Sequence, residues 1–148
     1  MTPPDETHFM RLALEQATLA LEADEVPVGA VVVHRGRVIA RGHNLTQRLT
    51  DVTAHAEMIA LTAAANTLGS KYLTECTLFV TLEPCPMCAG ALAWAQIGKI
   101  YFGASDAKRG YARWREPSLL HPKTVAEGGL LAADCEKLLI DFFKKKRS

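Results

Sequence analysis

Apolar residues recur along the chain at two spacings, one typical of helices and the other of strands. The helical spacing covers 54–68, 86–95 and 130–145, and an Ala- and Leu-rich stretch that begins at residue 5 or 7 and ends at 22. β-Branched and apolar runs cover 26–34, 37–41, 76–82, 99–103 and 123–127, and Arg35-Gly36 separates the first two as a hairpin turn. Strands separated by helices after an initial hairpin predict an α/β fold, with a mixed sheet between helices.

Two stretches lie outside this pattern, the polar segment 44–53 and the irregular segment 105–122, which carries Arg and Trp side chains. We expect both to be loops. No internal repeat, low-complexity stretch or linker divides the 148 residues. We therefore expect one domain, 1–148, which is long enough to bury roughly 70% of its unfolded surface.

Composition excludes some classes of function and leaves others open. The net charge is +1, so charge alone gives no argument for nucleic-acid binding, although cations cluster at 108–115 and 144–147. No apolar run approaches the length of a membrane span, and the N-terminus is neither basic nor apolar. We expect a cytoplasmic protein. Four cysteines, two of them closely spaced, fit a reducing compartment and a metal site better than a disulfide framework.

The close cysteine pair lies where a strand pattern changes into a helix pattern. Cys85 and Cys88 follow the run 76–82, and Pro86 suits the first position of a helix because its missing N–H would be unpaired there anyway. Cys85 would then cap the helix and Cys88 would lie in its first turn. The partial positive charge at a helix N-terminus favours the thiolate, which is the metal-binding form.

A second motif, His55-Ala56-Glu57, opens another predicted helix thirty residues before Cys85. Residues two apart on a helix point about 200° apart, so His55 and Glu57 can share a ligand only if it lies off the N-terminal end. The spacings therefore predict two helix N-termini that converge on one point.

Two thiolates and an imidazole leave one position of a tetrahedral zinc ion open for water, as in catalytic zinc sites. Such a water is acidified enough to act as hydroxide near neutral pH, and Glu57 is placed to move its proton to a substrate. His-x-Glu followed by Pro-Cys-x-x-Cys is the signature of zinc nucleobase deaminases.

Beyond this signature, the chain resembles the bacterial tRNA adenosine deaminases, which convert the wobble adenosine of a tRNA anticodon to inosine. The resemblance runs from about residue 9 to 147. It rests on Glu25-Val26-Pro27-Val28-Gly29-Ala30-Val31, Gly42-His43-Asn44, Thr53-Ala54-His55-Ala56-Glu57, Leu82-Glu83-Pro84-Cys85, Met87-Cys88-Ala89-Gly90-Ala91, Phe102-Gly103-Ala104, Asp106-Ala107-Lys108 and Phe142-Phe143.

The resemblance implies a three-layer α/β/α cytidine-deaminase-like fold with a five-stranded mixed sheet flanked by helices. It implies one Zn²⁺ per subunit held by His55, Cys85 and Cys88, with Glu57 as the proton shuttle. It further implies a homodimer that binds a tRNA anticodon stem-loop with help from the neighbouring subunit. The substrate contacts that it implies are Asn44 to the flipped-out nucleotide, Val28 and the Ala56 backbone to the base, Asp106 to the ribose, and Phe143 with the basic tail to the anticodon loop.

Two other hypotheses stay open. Ala93-Trp94-Ala95 is similar to the same stretch in guanine deaminases, which favours a deaminase of a free base or nucleoside of the guanine or cytosine type. The other hypothesis is a non-catalytic interaction domain with a structural zinc site, closed by a fourth ligand such as Cys76, although core packing is the better interpretation of Cys76 and Cys135. Trp114, between two arginines, could stack on an RNA base or simply pack.

Overall fold

The computed structural model describes residues 5–115 and 117–147. In that part of the chain the elements are, in order, α1 Glu6–Glu22, β1 Gly29–His34, β2 Arg37–His43, α2 Ala56–Leu68, β3 Cys76–Leu82, α3 Pro86–Ala95, β4 Lys99–Ala104, a 3₁₀ turn Tyr111–Arg113, β5 Val125–Glu127 and α4 Ala132–Arg147. The strands form one five-stranded sheet in the order β2-β1-β3-β4-β5. The predicted five-stranded sheet is confirmed.

The sheet is mixed, and its pairing decides which strand ends meet. β1 runs antiparallel to both of its neighbours, β2 and β3, whereas β3, β4 and β5 are parallel. In the register, Gly29 pairs with His43, Ala30 with Val80, and Leu82 with Ala104. The start of β1 and the ends of β2, β3 and β4 therefore lie along one edge, called here the site edge.

Helices cover both faces of the sheet. Because strand side chains alternate between faces, Val31 and Phe79 point to the face covered by α1 and α4, where they pack with Phe9 and Met10. Their neighbours Val32, Leu78 and Val80 point to the other face, where they pack with the alanines of α2 and with Leu92 of α3. The expected three-layer α/β/α arrangement is confirmed.

Two glycines bring helices unusually close to the sheet. A Cβ added at Gly29 of β1 would lie 2.1 Å from the Ala13 carbonyl oxygen in α1. A Cβ added at Gly42 of β2 would lie 2.7 Å from the carbonyl oxygen of Ala56, the first residue of α2. The start of α2 is thus held directly against the end of β2, at the site edge.

Most predicted boundaries lie within two residues of the observed ones, and β3 and α3 match the predicted bounds at both ends. β1, however, begins at Gly29 rather than at residue 26. Pro27 has no N–H to donate to a strand ladder, and the Val28 N–H bonds instead to the Val26 carbonyl at 2.8 Å. α4 begins at Ala132 rather than at 130, because Gly129 and Leu131 have φ of 92° and 53°, outside the helical region.

No helix within 5–115 and 117–147 is long and apolar enough to cross a membrane.

Candidate metal centre and active site

His55 and Cys85 occupy equivalent positions at the starts of two helices. Each is the N-cap residue of its helix, α2 or α3, with an extended backbone, and Pro86 takes the first helical position after Cys85. Neither side chain makes a capping hydrogen bond. Both are therefore available to a ligand, and the structure brings the two helix starts together as the spacing predicted.

The three expected donor atoms form a compact group. The His55 Nδ1 lies 3.6 Å from the Cys85 Sγ and 3.4 Å from the Cys88 Sγ, and all three atoms lie within 4.8 Å of one another. Tetrahedral coordination at normal zinc bond lengths separates sulfur and nitrogen donors by about 3.6 Å. The donor set and its spacing thus fit a zinc ion with one position left open.

The protonation of the two thiols differs in this arrangement. A hydrogen bond from the Cys88 thiol, aided by His55, lowers the pKa of Cys85 to about 4. The same bond to Cys85, together with burial, raises the pKa of Cys88. A separate hydrogen bond, between the His55 ring and Cys85, raises the pKa of His55. Cys85 is therefore a thiolate at neutral pH, and a bound cation would favour the thiolate form of Cys88 as well.

Glu57 lies in the first turn of α2, beside this group, and only 4% of its surface is exposed. Burial raises the pKa of its carboxyl to about 7, in spite of the opposing charge of His55. A carboxyl with a pKa near neutrality can both accept and donate a proton at physiological pH. Its location and protonation suit a proton carrier.

Three of the predicted substrate contacts lie together at the site edge. The Asn44 Oδ1 accepts a hydrogen bond of 2.8 Å from the Ala56 N–H, and the Asn44 N–H donates to the Val28 carbonyl at 3.2 Å. All three residues are buried. Because Ala56 follows His55 directly, this group borders the candidate metal centre.

The other two predicted contacts are placed differently. Asp106 follows β4 at the site edge, and its Oδ1 accepts the N–H groups of Lys108 and Arg109 at 3.1 and 3.0 Å. Phe143 belongs to α4, on the sheet face opposite α2 and α3, where its ring meets the Phe142 ring at 5.2 Å. Its side chain is 44% exposed, and no described contact joins it to the other site residues.

Two buried carboxylates that the sequence did not single out tie loops to the site edge. The Glu25 carboxylate accepts the Thr46 hydroxyl and the N–H groups of Gln47 and Arg48, at 2.9 to 3.2 Å. The two oxygens of Glu83 accept the N–H groups of Asp106 and Ala112, each at 3.0 Å. Their partners lie 21 to 29 residues away, so the only sequence signal was an acidic residue close to a proline in an apolar run.

The region 3–104, which carries the donor group and Glu57, matches the family model of the cytidine and deoxycytidylate deaminase zinc-binding region. The chain belongs to this deaminase family. The enzymatic class and the zinc cofactor predicted from the sequence are confirmed for the family. These deaminases are hydrolases that replace an amino group with an oxygen from water.

Named relatives in this family narrow the resemblance. The deaminase is 45% identical to a tRNA-specific adenosine deaminase of Agrobacterium fabrum, over 97% of each chain. It is 42% identical to the protein of the same name from Aquifex aeolicus, over 95% of each chain. The predicted membership of the tRNA adenosine deaminase family is therefore confirmed.

Solved structures give the same result for the fold. A structure from a study of A-to-I editing by tRNA:A34 deaminases at the wobble position covers 90% of this chain and all of its own, with a TM-score of 0.84 and 45% identity. A guanine deaminase from Bacillus subtilis superimposes with a TM-score of 0.66 and 33% identity, over 79% of this chain and 72% of its own. The cytidine-deaminase-like fold is confirmed.

Proposed function

We propose that this protein is a zinc-dependent hydrolase that deaminates adenosine to inosine at the wobble position of a tRNA anticodon. The observation that carries the proposal is the group formed by His55, Cys85 and Cys88 beside the buried Glu57. The substrate is supported by 45% identity, over nearly the whole chain, to a tRNA-specific adenosine deaminase.

In this proposal His55, Cys85 and Cys88 hold one zinc ion per subunit. When bound, the ion supplies a Lewis acid that acidifies a water molecule. Glu57 would take one proton from the water and place it on a ring nitrogen of adenine while the water oxygen bonds to C6. It would then carry the second proton of that oxygen to the amino group, so that the C6–N bond breaks, ammonia leaves and the carbonyl of inosine forms. Burial supports this role because the carboxyl, with a pKa of about 7, can hold the proton between the two transfers.

We assign the neighbouring residues to the substrate. Asn44, Val28 and the Ala56 backbone would bind the flipped-out base, which is supported by their shared position beside His55. Asp106 would contact the ribose, and Phe143 with the basic residues 144–147 would meet the anticodon loop. The exposure of the Phe143 ring and the cations that follow it supports this last assignment.

The proposal includes a homodimer of single-domain subunits, each 1–148, in the cytoplasm, where tRNA is used. A second copy is supported by the outer surface of α2 and α3. Trp94 is 86% exposed there, and it lines an apolar groove together with Leu61, Tyr72 and Ala91. Large exposed apolar surfaces of this kind mark interaction sites.

A deaminase of a free base is the second candidate. It is supported by the likeness to the guanine deaminase of Bacillus subtilis and by the stretch Ala93-Trp94-Ala95. A free base needs no basic surface, whereas an RNA substrate does. Replacing Lys144, Lys145, Lys146 and Arg147 with Gln should therefore reduce activity strongly under the first proposal and leave it unchanged under the second.

The deciding experiment uses the purified zinc-loaded protein and an anticodon stem-loop with adenosine at the wobble position. Free guanine, cytosine and adenosine are assayed in parallel, and Glu57→Ala serves as the inactive control. We expect inosine in the stem-loop alone. Ammonia from a free base with an unchanged stem-loop would replace the tRNA proposal with the second candidate.

Zinc analysis tests the remaining hypothesis, a closed site completed by Cys76. Cys76 begins β3 whereas Cys85 follows its end, and seven strand residues span roughly 20 Å. Cys76 is also buried in the core between the sheet and α2 and α3. Cys76→Ala should keep its full zinc content, and Cys88→Ala should lose it; zinc lost from Cys76→Ala would contradict an open catalytic site.

A further inference from the structure

The segment 108–115, called here the basic turn, combines four cations with an exposed aromatic ring. Its sequence, Lys-Arg-Gly-Tyr-Ala-Arg-Trp-Arg, contains no acidic residue. The Trp114 side chain is 44% exposed, and the Arg113 guanidinium lies 5.7 Å from the centre of its ring. Arg113 also donates a hydrogen bond to the Lys108 carbonyl, which closes the turn on itself.

The basic turn is anchored to the segment that carries the candidate metal ligands. The Tyr111 N–H donates to the carbonyl of Pro84, the residue before Cys85, at 2.9 Å. The Ala112 N–H donates to the neighbouring Glu83 carboxylate at 3.0 Å. The Tyr111 ring also packs edge-on against Phe102 of β4. Three contacts thus hold the turn against the site edge.

Glycine at position 110 makes this close approach possible. A Cβ there would lie 2.0 Å from the Glu83 Oε2 and 2.6 Å from the Asp106 carbonyl oxygen. Real Cβ atoms essentially never come so close to a neighbour. Any other residue would push the turn away from the segment before Cys85.

These contacts set how far Trp114 can lie from the site. Trp114 is three residues after Tyr111, and three residues span roughly 11 Å at most. The Trp114 N–H bonds back to the Tyr111 carbonyl at 3.0 Å, so the actual span is shorter. An aromatic ring among cations, on a turn anchored to the segment before Cys85, has the composition of surfaces that bind single-stranded nucleic acid.

We infer that Trp114 stacks on an RNA base next to the edited adenosine while the cations of the basic turn contact the adjoining phosphates. The inference rests on the proposed tRNA substrate and adds a binding site for a flanking nucleotide. Stacking on an aromatic side chain is tolerant of base identity. Trp114 therefore contributes affinity and fixes the position of the strand, and it does not select a sequence.

The test measures binding of a fluorescent anticodon stem-loop in the zinc-loaded Glu57→Ala background, where no turnover occurs. Trp114→Ala should raise Kd roughly 5- to 150-fold, the range for loss of one stacked base. Trp114→Phe, which keeps a stacking ring, should stay close to the parent. For the cations, Lys108→Ala should also weaken binding, whereas the control Arg37→Ala, which removes an exposed cation at the opposite edge of the sheet, should bind normally.

An abasic substitution in the RNA makes the test independent of the variant's folding. Removing the base on one side of the edited adenosine should weaken binding to the Trp114 protein as much as Trp114→Ala does. It should have little further effect on Trp114→Ala, because the stacking pair is already broken. Additive losses, or unchanged binding by Trp114→Ala, would overturn the inference.

The parent protein's own activity separates this inference from the proposed function. If the protein with Glu57 intact deaminates the stem-loop, and the Trp114→Ala variant made in that protein does so with the same KM, only the proposed flanking-base site is wrong. If the Glu57 parent neither deaminates nor binds the stem-loop, both are wrong.

Discussion

The Asn44 side chain accepts the backbone N–H of Ala56 at 2.8 Å and thereby joins the end of β2 to the first turn of α2. His55 is the N-cap residue of that helix but makes no capping bond. Asn44 provides the cap from twelve residues upstream. The His55 ring therefore does not have to make the N-cap hydrogen bond and can face the two thiols.

Asn44→Ala removes this cap and leaves the buried Ala56 N–H without its acceptor. We expect the free energy of unfolding to fall by about 1 to 3 kcal/mol, measured by urea denaturation. Asn44→Asp keeps an acceptor oxygen and should recover most of the stability. Its deamination should be low, because a carboxylate lacks the amide N–H donors with which Asn44 could bind the flipped-out base. Full activity of Asn44→Asp would contradict that assignment.

Glu57 should make the stability of the metal-free protein depend on pH. The pKa of Glu57 is about 7 in the folded protein, against an ordinary value of 4.5. Between these two pH values the folded protein therefore holds a proton that the unfolded chain has lost. Its contribution is fully present below about pH 4.5 and declines until pH 7, by about 3 kcal/mol in all. Glu57→Gln cannot titrate, so its stability should rise relative to the parent across this range.

Urea unfolding of the chelator-treated pair at several pH values measures this difference. The comparison cancels the opposite trend from Cys85, whose depressed pKa stabilises the fold as pH rises. Parallel pH curves for the parent and Glu57→Gln would show that Glu57 is not protonated at neutral pH. With zinc bound, Glu57→Gln should keep the metal and lose deamination.

Glu83→Gln tests the anchor of the basic turn. A carboxylate can accept both the Asp106 and Ala112 N–H groups, whereas an amide turns an N–H donor toward one of them. We expect a loss of about 1 to 3 kcal/mol in stability, unchanged zinc content, and a raised KM for the stem-loop. Glu75→Gln is the control, since the Glu75 side chain is 72% exposed. A fall in kcat with constant KM would point to a different role.

Two glycine substitutions should have opposite effects on stability. At Gly29 a Cβ would lie 2.1 and 2.3 Å from backbone atoms of Ala13 and Ala17, so Gly29→Ala must displace α1 and cost about 3 kcal/mol or more. At Gly90, inside α3, nothing lies within 4 Å of an added Cβ. Gly90→Ala should stabilise the helix by up to about 1 kcal/mol. The Tm of Gly29→Ala should fall and that of Gly90→Ala should rise in thermal unfolding. Equal Tm shifts in the two variants would mean that α1 can move to accommodate the added Cβ.

Local sequence signals were strongest where a strand passes into a helix. The apolar run of β3 and the proline at position 86 predicted both boundaries, because each signal acts on its own residue or its immediate neighbours. The donor group followed as well, since His55 and Cys85 take the same position at two helix starts. Chemistry that depends on spacing within a motif is visible in a sequence.

Contacts between distant segments were not visible. Nothing near Glu25 in the sequence shows that its carboxylate accepts the N–H groups of Gln47 and Arg48, and nothing near Glu83 shows that its carboxylate accepts those of Asp106 and Ala112. Such contacts depend on which loops the sheet order brings together. The start of β1 was predicted too early for a different, local reason, since the β-branched run outweighed the missing N–H of Pro27.

The catalytic groups lie at helix starts and the surrounding surface is formed by loops, which makes the substrate range of this deaminase open to change. The candidate metal ligands and Glu57 are fixed by α2 and α3, whereas 44–53, 105–115 and 117–124 are mainly irregular segments held at the site edge by Glu25 and Glu83. Loops tolerate exchange better than the elements they connect. A library that varies 107–124 while keeping Glu83 and Gly110 would therefore explore new substrates without disturbing the hydrolytic centre.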